Sequence, residues 1–336
     1  MSLRALLTSK LGIAVVGIVA VGGLLGGAVA LGVVGAPSVV AVDNAFGEVT
    51  NETTVVETDL VVNNPNPVGV QLGDTSIVYT VRMNDVTMAT GNKSGVAVAT
   101  GNSTLAFTTR MDNERIPAWW ASHINNGERT VVTIDASVRS GLLGNRTFEL
   151  EQERQINTSL IEQFNSQETR PVSGPSNPVY SNPVLYVNKT SAEWGAVTEA
   201  QTPIKTAFVI YNPQVEPYTL TEVGYEIRMN GILVGEGRTD QPYLIEGKST
   251  ETVRTTPTID NEQLPLWWAS HLRANQTTTL RIDFYARLEL PTGETVRLPL
   301  DALTYERTIE TDIFGGGEST PTDSETTPTD SETTPT

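Results

Sequence analysis

The chain has 336 residues, with 39 acidic against 22 basic side chains, a formal net charge of −17, no cysteine and two histidines. The missing cysteine excludes disulfides, thiolate metal sites, iron–sulfur ligation and cysteine nucleophiles. The charge disfavours nucleic acid as a partner. A hydrophobic content of 38% supports a packed core, and the length suits about two domains.

Residues 11–34 carry no charge, so after a short N-terminus (residues 1–10) they predict a transmembrane helix of about 36 Å. Arg4 and Lys10 precede this segment and Asp43, Glu48 and Glu52 follow it. That bias predicts a single-pass cell-membrane protein with its N-terminus inside and everything after Val34 outside. A cleaved signal peptide ending near Ala28-Val29-Ala30 is the alternative. Gly22/Gly26 and Gly23/Gly27 have the spacing for close helix packing, hence for an oligomer.

The rest of the chain is one unit written twice. Asp112-Asn113-Glu114 and Trp119-Trp120-Ala121-Ser122-His123 recur as Asp260-Asn261-Glu262 and Trp267-Trp268-Ala269-Ser270-His271, an offset of 148. Phe46-Gly47 matches Trp194-Gly195, and Asn64-Pro65 matches Asn212-Pro213, at the same offset. Tyr79 to Asn84 matches Tyr225 to Asn230 at 146, so small insertions separate the anchors. A duplication with so long a period is a pair of domains and not a solenoid.

Each copy reads as β. Val56, Thr58, Leu60 and Val62 alternate with polar residues, as do Ile204, Thr206, Phe208 and Ile210. Ile77, Tyr79, Val81 and Met83 make a second such face, with a copy at Val223, Tyr225, Ile227 and Met229. Val132, Ile134, Ala136 and Val138 make a third, with a copy at Leu280, Ile282, Phe284 and Ala286. Asn230-Gly231 predicts a hairpin with a primed turn, and residues 291–293 predict another hairpin. One short helix is expected per copy, from Pro117 and from Pro265. The fold class is therefore all-β: two tandem immunoglobulin- or fibronectin-III-like sandwiches, over residues 37–160 and 183–312. Residues 161–182, with Pro171, Pro175 and Pro178 and with Pro183 just beyond, predict a semi-rigid linker. Residues 315–336 repeat Thr-Pro-Thr-Asp-Ser-Glu-Thr without a large apolar residue and predict a disordered acidic tail.

Asn64-Pro65-Asn66 after a strand, the Trp-Trp-Ala-Ser-His segments, and the closing Glu153-Arg154-Gln155-Ile156 and Glu306-Arg307-Thr308-Ile309 carry a resemblance. Together they resemble the type 2 late embryogenesis abundant family, whose unit is the water-stress-and-hypersensitive-response (WHy) domain. The resemblance implies a sandwich fold, a link to desiccation, and no catalytic residues. The second copy departs at Gln214, where the first has Asn66; if that asparagine does more than shape a turn, the second copy is the weaker. The low-lysine, acid-rich composition resembles proteins of salt-loving archaea, whose surface acids repel little once the Debye length falls to roughly 3 Å.

Trp119, Trp120, Trp267 and Trp268 are the candidate ligand or partner surface. Neighbours on a helix point about 100° apart, so one ring of each pair is expected to cap the core while the other lies partly exposed. Against an aromatic platform for a lipid or glycan stands the plainer reading that the helix seals the sandwich. One histidine per unit (His123, His271) is too few for zinc, and Ser122-His123 are not placed as a nucleophile–base pair. No metal, cofactor or catalytic residue is assigned. Of seven Asn-x-Ser/Thr sequons, Asn92 and Asn102 are the best glycosylation candidates. The expected function is a membrane-anchored, extracytoplasmic, non-enzymatic protein of water stress. The alternatives are a lipid or apolar-ligand module at the cell surface and a glycosylated surface structural protein.

Overall fold

The computed structural model describes residues 38–313 apart from 68, 141–145, 175–181, 240 and 291–292. The first unit contains β1 (Ser38–Val49), β2 (Thr53–Asn64), β3 (Val70–Met83), β4 (Val86–Val98), β5 (Gly101–Asp112), α1 (Ile116–Asn125), β6 (Arg129–Ser140) and β7 (Arg146–Asn157). Its sheets are β1-β2-β5 and β4-β3-β6-β7, antiparallel throughout.

The second unit repeats this plan with interruptions. It contains β8 (Arg170–Val172), β9 (Leu185–Trp194), β10 (Gln201–Tyr211), β11 (Tyr218–Met229), β12 (Ile232–Thr239), β13 (Tyr243–Ile245), β14 (Thr250–Thr255) and β15 (Thr258–Asp260). After α2 (Leu264–Arg273) come β16 (Thr277–Glu289), β17 (Thr295–Pro299) and β18 (Tyr305–Glu310). One sheet is β14-β10-β9-β8, with β15 also on β10. The other is β12-β11-β16-β17, with β13 on β11 and β18 on β16. Where the first unit has the unbroken strands β4, β5 and β7, the second has the pairs β12/β13, β14/β15 and β17/β18.

The alternation explains the strands. In β2, Val56, Thr58, Leu60 and Val62 are buried while Glu57 and Asp59 are exposed. In β10, Ile204, Thr206, Phe208 and Ile210 are buried and Lys205 is exposed. Asn230 and Gly231 take φ of 51° and 77°, the primed geometry that fits the twist of β11 and β12. Pro117 and Pro265 stand in the first turn of their helices, where a missing N–H costs nothing.

Two expectations need correction. Residues 161–182 are more than a spacer: β8 adds an edge strand to β9, and Phe164 and Val172 are buried. Phe164 stacks within 6.1 Å of Phe208, 6.3 Å of Phe284 and 5.5 Å of Tyr305, so this stretch helps fill the second core. The single-pass cell-membrane placement is also overturned. Among the described residues no helix is long and apolar enough to cross a membrane, α1 and α2 having 10 residues each. The stretch 11–34, its glycine pairs, the cleavage alternative and the tail 315–336 lie outside the described residues.

Candidate functional site

The tryptophan helices meet each other. All four rings are buried, at 3–8% exposure, so neither ring of a pair is left as a surface platform. The two indoles of each pair part as helix geometry requires, but the second ring turns to the other unit and not to solvent. Trp119 lies edge-on to Trp268 and Trp120 edge-on to Trp267, both at 5.5 Å. A single buried apolar cluster runs through this seam from Val56 in the first unit to Leu303 in the second.

Hydrogen bonds across the seam are reciprocal. Trp120 Nε1 donates to Thr202 Oγ1 on β10 at 3.0 Å, and Trp268 Nε1 donates to Thr54 Oγ1 on β2 at 3.2 Å. Each threonine hydroxyl donates onward, Thr54 to Asn113 Oδ1 at 2.9 Å and Thr202 to Asn261 Oδ1 at 3.0 Å. The asparagine amides then reach the carbonyls of Thr50 at 3.0 Å and Thr198 at 2.9 Å. Asn125 Nδ2 donates to the Val197 carbonyl at 3.2 Å, and its counterpart Arg273 donates to the Val49 carbonyl at 2.7 Å. Every one of these positions has its counterpart at an offset of 148, and only Asn125, matched by Arg273, changes residue type. The seam has the two-fold logic of an isologous interface, written within one chain.

The other tryptophan of each pair directs its N–H into its own unit. Trp119 Nε1 donates to Thr130 Oγ1 at 2.9 Å, and that oxygen also meets His123 Nδ1 at 2.8 Å. His123 Nε2 meets Thr158 Oγ1 at 2.9 Å, and Thr158 donates to Glu128 Oε2 at 3.1 Å. With its proton given to Glu128, Thr158 accepts from Nε2–H. His123 Nδ1 then accepts from Thr130, which fixes a neutral tautomer. The second unit repeats the chain as Trp267, Thr278, His271 and Thr311, at 2.8, 2.8 and 2.9 Å. Burial pushes both histidines down to about 4, opposed by the Glu128 charge at His123 and by a backbone bond of Thr277 at His271.

Glu128, with φ of 60°, has no counterpart in charge: Gln276 stands there with φ of 59°. Glu128 accepts from Trp194 Nε1 at 3.0 Å and from the Leu160 N–H as well as from Thr158. It ties β9 of the second unit to the exit of the first.

The Asn-Pro motifs shape turns. Asn64 Oδ1 accepts from the N–H of Asn66 at 3.1 Å and from its amide at 2.7 Å. Asn212 Oδ1 accepts from the Gln214 N–H at 2.9 Å, and its amide donates to the carbonyls of Glu216 and Ile245 at 2.9 and 3.1 Å. Gln214 keeps the backbone bond and extends to the Pro183 carbonyl at 3.3 Å, so the departure from Asn66 preserves the turn. Pro65 and Pro213 follow the buried Asn64 and Asn212 in these turns. Asn92 on β4 and Asn102 on β5 are exposed.

An apolar cavity of about 60 Å³ lies between the tryptophan helices, lined by Met83, Met229 and all four rings. A second, also about 60 Å³, lies within the first sandwich beneath Trp268. Both fall well short of the roughly 300–1,000 Å³ usual for small-molecule sites.

A family model described as late embryogenesis abundant protein matches residues 59–154 and 207–302, once in each unit. The chain belongs to the type 2 late embryogenesis abundant family. The family's association is with water stress, and the two matched stretches cover more than half of the chain. The comparison with curated proteins gave no match. Among solved structures, a protein from Archaeoglobus fulgidus is 25% identical at a TM-score of 0.35, over 38% of this chain and 98% of its own. A protein of Arabidopsis thaliana is 14% identical at a TM-score of 0.28, over 36% of this chain and 80% of its own.

The sequence pointed to the tryptophans but not to their threonine and asparagine partners. The signal was present: Thr54/Thr202, Thr130/Thr278 and the middle residue of each Asp-Asn-Glu triplet all recur at 148. Nothing in one strand says that its threonine waits for an indole from the other unit.

Proposed function

We propose that this chain is a non-catalytic protective protein of the water-stress response, in which two WHy-like sandwiches act as one fused body. The observation that carries the reading is the seam. The reactive groups of both Trp-Trp-Ala-Ser-His segments are consumed in internal hydrogen bonds, and the units share one apolar core. Family membership supports the link to drying. Two antiparallel sheets per unit support the immunoglobulin- and fibronectin-III-like architecture. The charge of −17 supports a hydrated acidic exterior that limits collapse onto neighbouring molecules as water activity falls, and fits a concentrated-salt setting. Apolar-ligand binding at the tryptophans has no comparable support, since the rings are enclosed and the space between them is small.

The test is survival of cells lacking the chain through drying and rapid salt dilution, with re-expression of the full chain as rescue. Lower survival that re-expression restores is the expected result. Unchanged survival under conditions where the chain is normally present overturns the proposal.

A further inference from the structure

The two units differ at one sandwich edge. In the first, β4 and β5 run unbroken, and Lys93 on β4 crosses between the sheets. Its ammonium donates to the Ala106 carbonyl on β5 and sits 5.0 Å from the Phe107 ring centroid. By register these three positions are Thr239, Arg254 and Thr255 in the second unit. Threonine is too short to span the gap. Both strands also break here, between β12 and β13 and between β14 and β15, and a cleft of about 630 Å³ opens. Tyr225, Arg238, Gln241, Tyr243, Arg254 and three threonines line it. Its volume lies within the roughly 300–1,000 Å³ of ordinary ligand sites.

The walls are held. Tyr225 lies over Gly237, where a Cβ would come within 2.5 Å of the phenol oxygen, and that oxygen accepts from the Thr258 N–H at 3.2 Å. Tyr243 donates to the Arg254 carbonyl at 2.9 Å and accepts from the Arg254 N–H at 3.2 Å. Arg238 is engaged with Glu222 at 3.5 Å. The Tyr243 hydroxyl is therefore spent on the backbone in both directions, whereas Tyr225 keeps its O–H proton to donate, and both tyrosines offer ring surface. The exposed Arg254 guanidinium makes no ion pair or hydrogen bond among the described residues. Among the described residues this cation stands without a partner beside two fixed rings, which suits it to an anionic ligand.

We infer that this cleft binds a small sugar acid. Arg254 holds the carboxylate through charge-assisted hydrogen bonds. Tyr225 and Tyr243 flank the C–H face of the ring. Gln241, Thr239 and Thr256 serve its hydroxyls. A neutral sugar forfeits the charge, and a bare carboxylate forfeits the rings. The site does not depend on the protective role.

Calorimetric titration of the full chain with D-galacturonate, D-galactose and acetate tests it. Galacturonate is expected to bind saturably and about tenfold tighter than either control, the factor one charge-assisted bond supplies. Arg254→Gln should weaken galacturonate by about tenfold and leave galactose unchanged. The double variant Thr239→Lys, Arg254→Ala places the first unit's lysine and alanine at the cleft and should abolish binding at an unchanged melting temperature. No saturable galacturonate binding overturns the inference. So does acetate binding equally well, or unaltered affinity in Arg254→Gln.

Discussion

Trp268 of the second unit donates its indole N–H to Thr54 of the first, 214 positions earlier in the chain, at 3.2 Å. Trp120 returns the bond to Thr202 at 3.0 Å. Each unit thus completes the other's polar network, and stability at the seam belongs to the pair.

Removing the indole donors alone should be modest. Trp120→Phe and Trp268→Phe are each expected to cost about 1–2 kcal/mol, as a buried hydroxyl loses a partner. Trp120→Ala and Trp268→Ala are each expected to cost about 3–5 kcal/mol. Denaturant unfolding of the parent should give one transition because the core is shared. Combining both alanines should resolve two.

Both histidines are held neutral by burial, with folded values of about 4 against 6.5. Above pH 6.5 neither state is protonated and the full stability is present. Between about 6.5 and 4 the unfolded chain takes up protons that the folded one refuses, so stability falls as pH drops through that window. The loss approaches about 3 kcal/mol per histidine and levels off below the folded value. Chemical denaturation at a series of pH values checks this, and His123→Gln with His271→Gln should flatten the curve there.

Glu128 gathers three donors in a buried place. Glu128→Ala strands the Trp194 indole, the Thr158 hydroxyl and the Leu160 N–H, with an expected cost of about 3 kcal/mol. Glu128→Gln, the residue type the second unit uses at 276, should recover at least half of that. Melting temperatures of the three proteins decide it.

Asn212 is the pivot of the second Asn-Pro turn, with three hydrogen bonds to backbone. Asn212→Ala is expected to cost about 2–3 kcal/mol, whereas Gln214→Asn, which restores the first unit's residue, should change stability by less than about 0.5 kcal/mol. Equilibrium unfolding separates the two.

The sandwich strands were legible because alternation is a local signal: the buried positions of β2 and β10 are the apolar ones in the sequence. The Asn230-Gly231 turn and the proline-led helices were legible for the same reason. The second tryptophan of each pair was not. Helix geometry says correctly that Trp119 and Trp120 diverge, but where the second ring goes depends on a surface contributed by distant chain. The stretch 161–182 misled through its prolines, although Phe164 and Val172 are the apolar residues that bring it into the second core. The open cleft needed register as well, since Thr239 and Arg254 mean little until set beside Lys93 and Ala106.

The two-fold seam also changes what the peptide link between the units does. Adhesion resides in the crossed indoles and the shared core, while the link holds the halves at a high mutual concentration. A cut placed between Gly174 and Asn182 would then leave a tight two-piece complex, and the halves would part only on dilution.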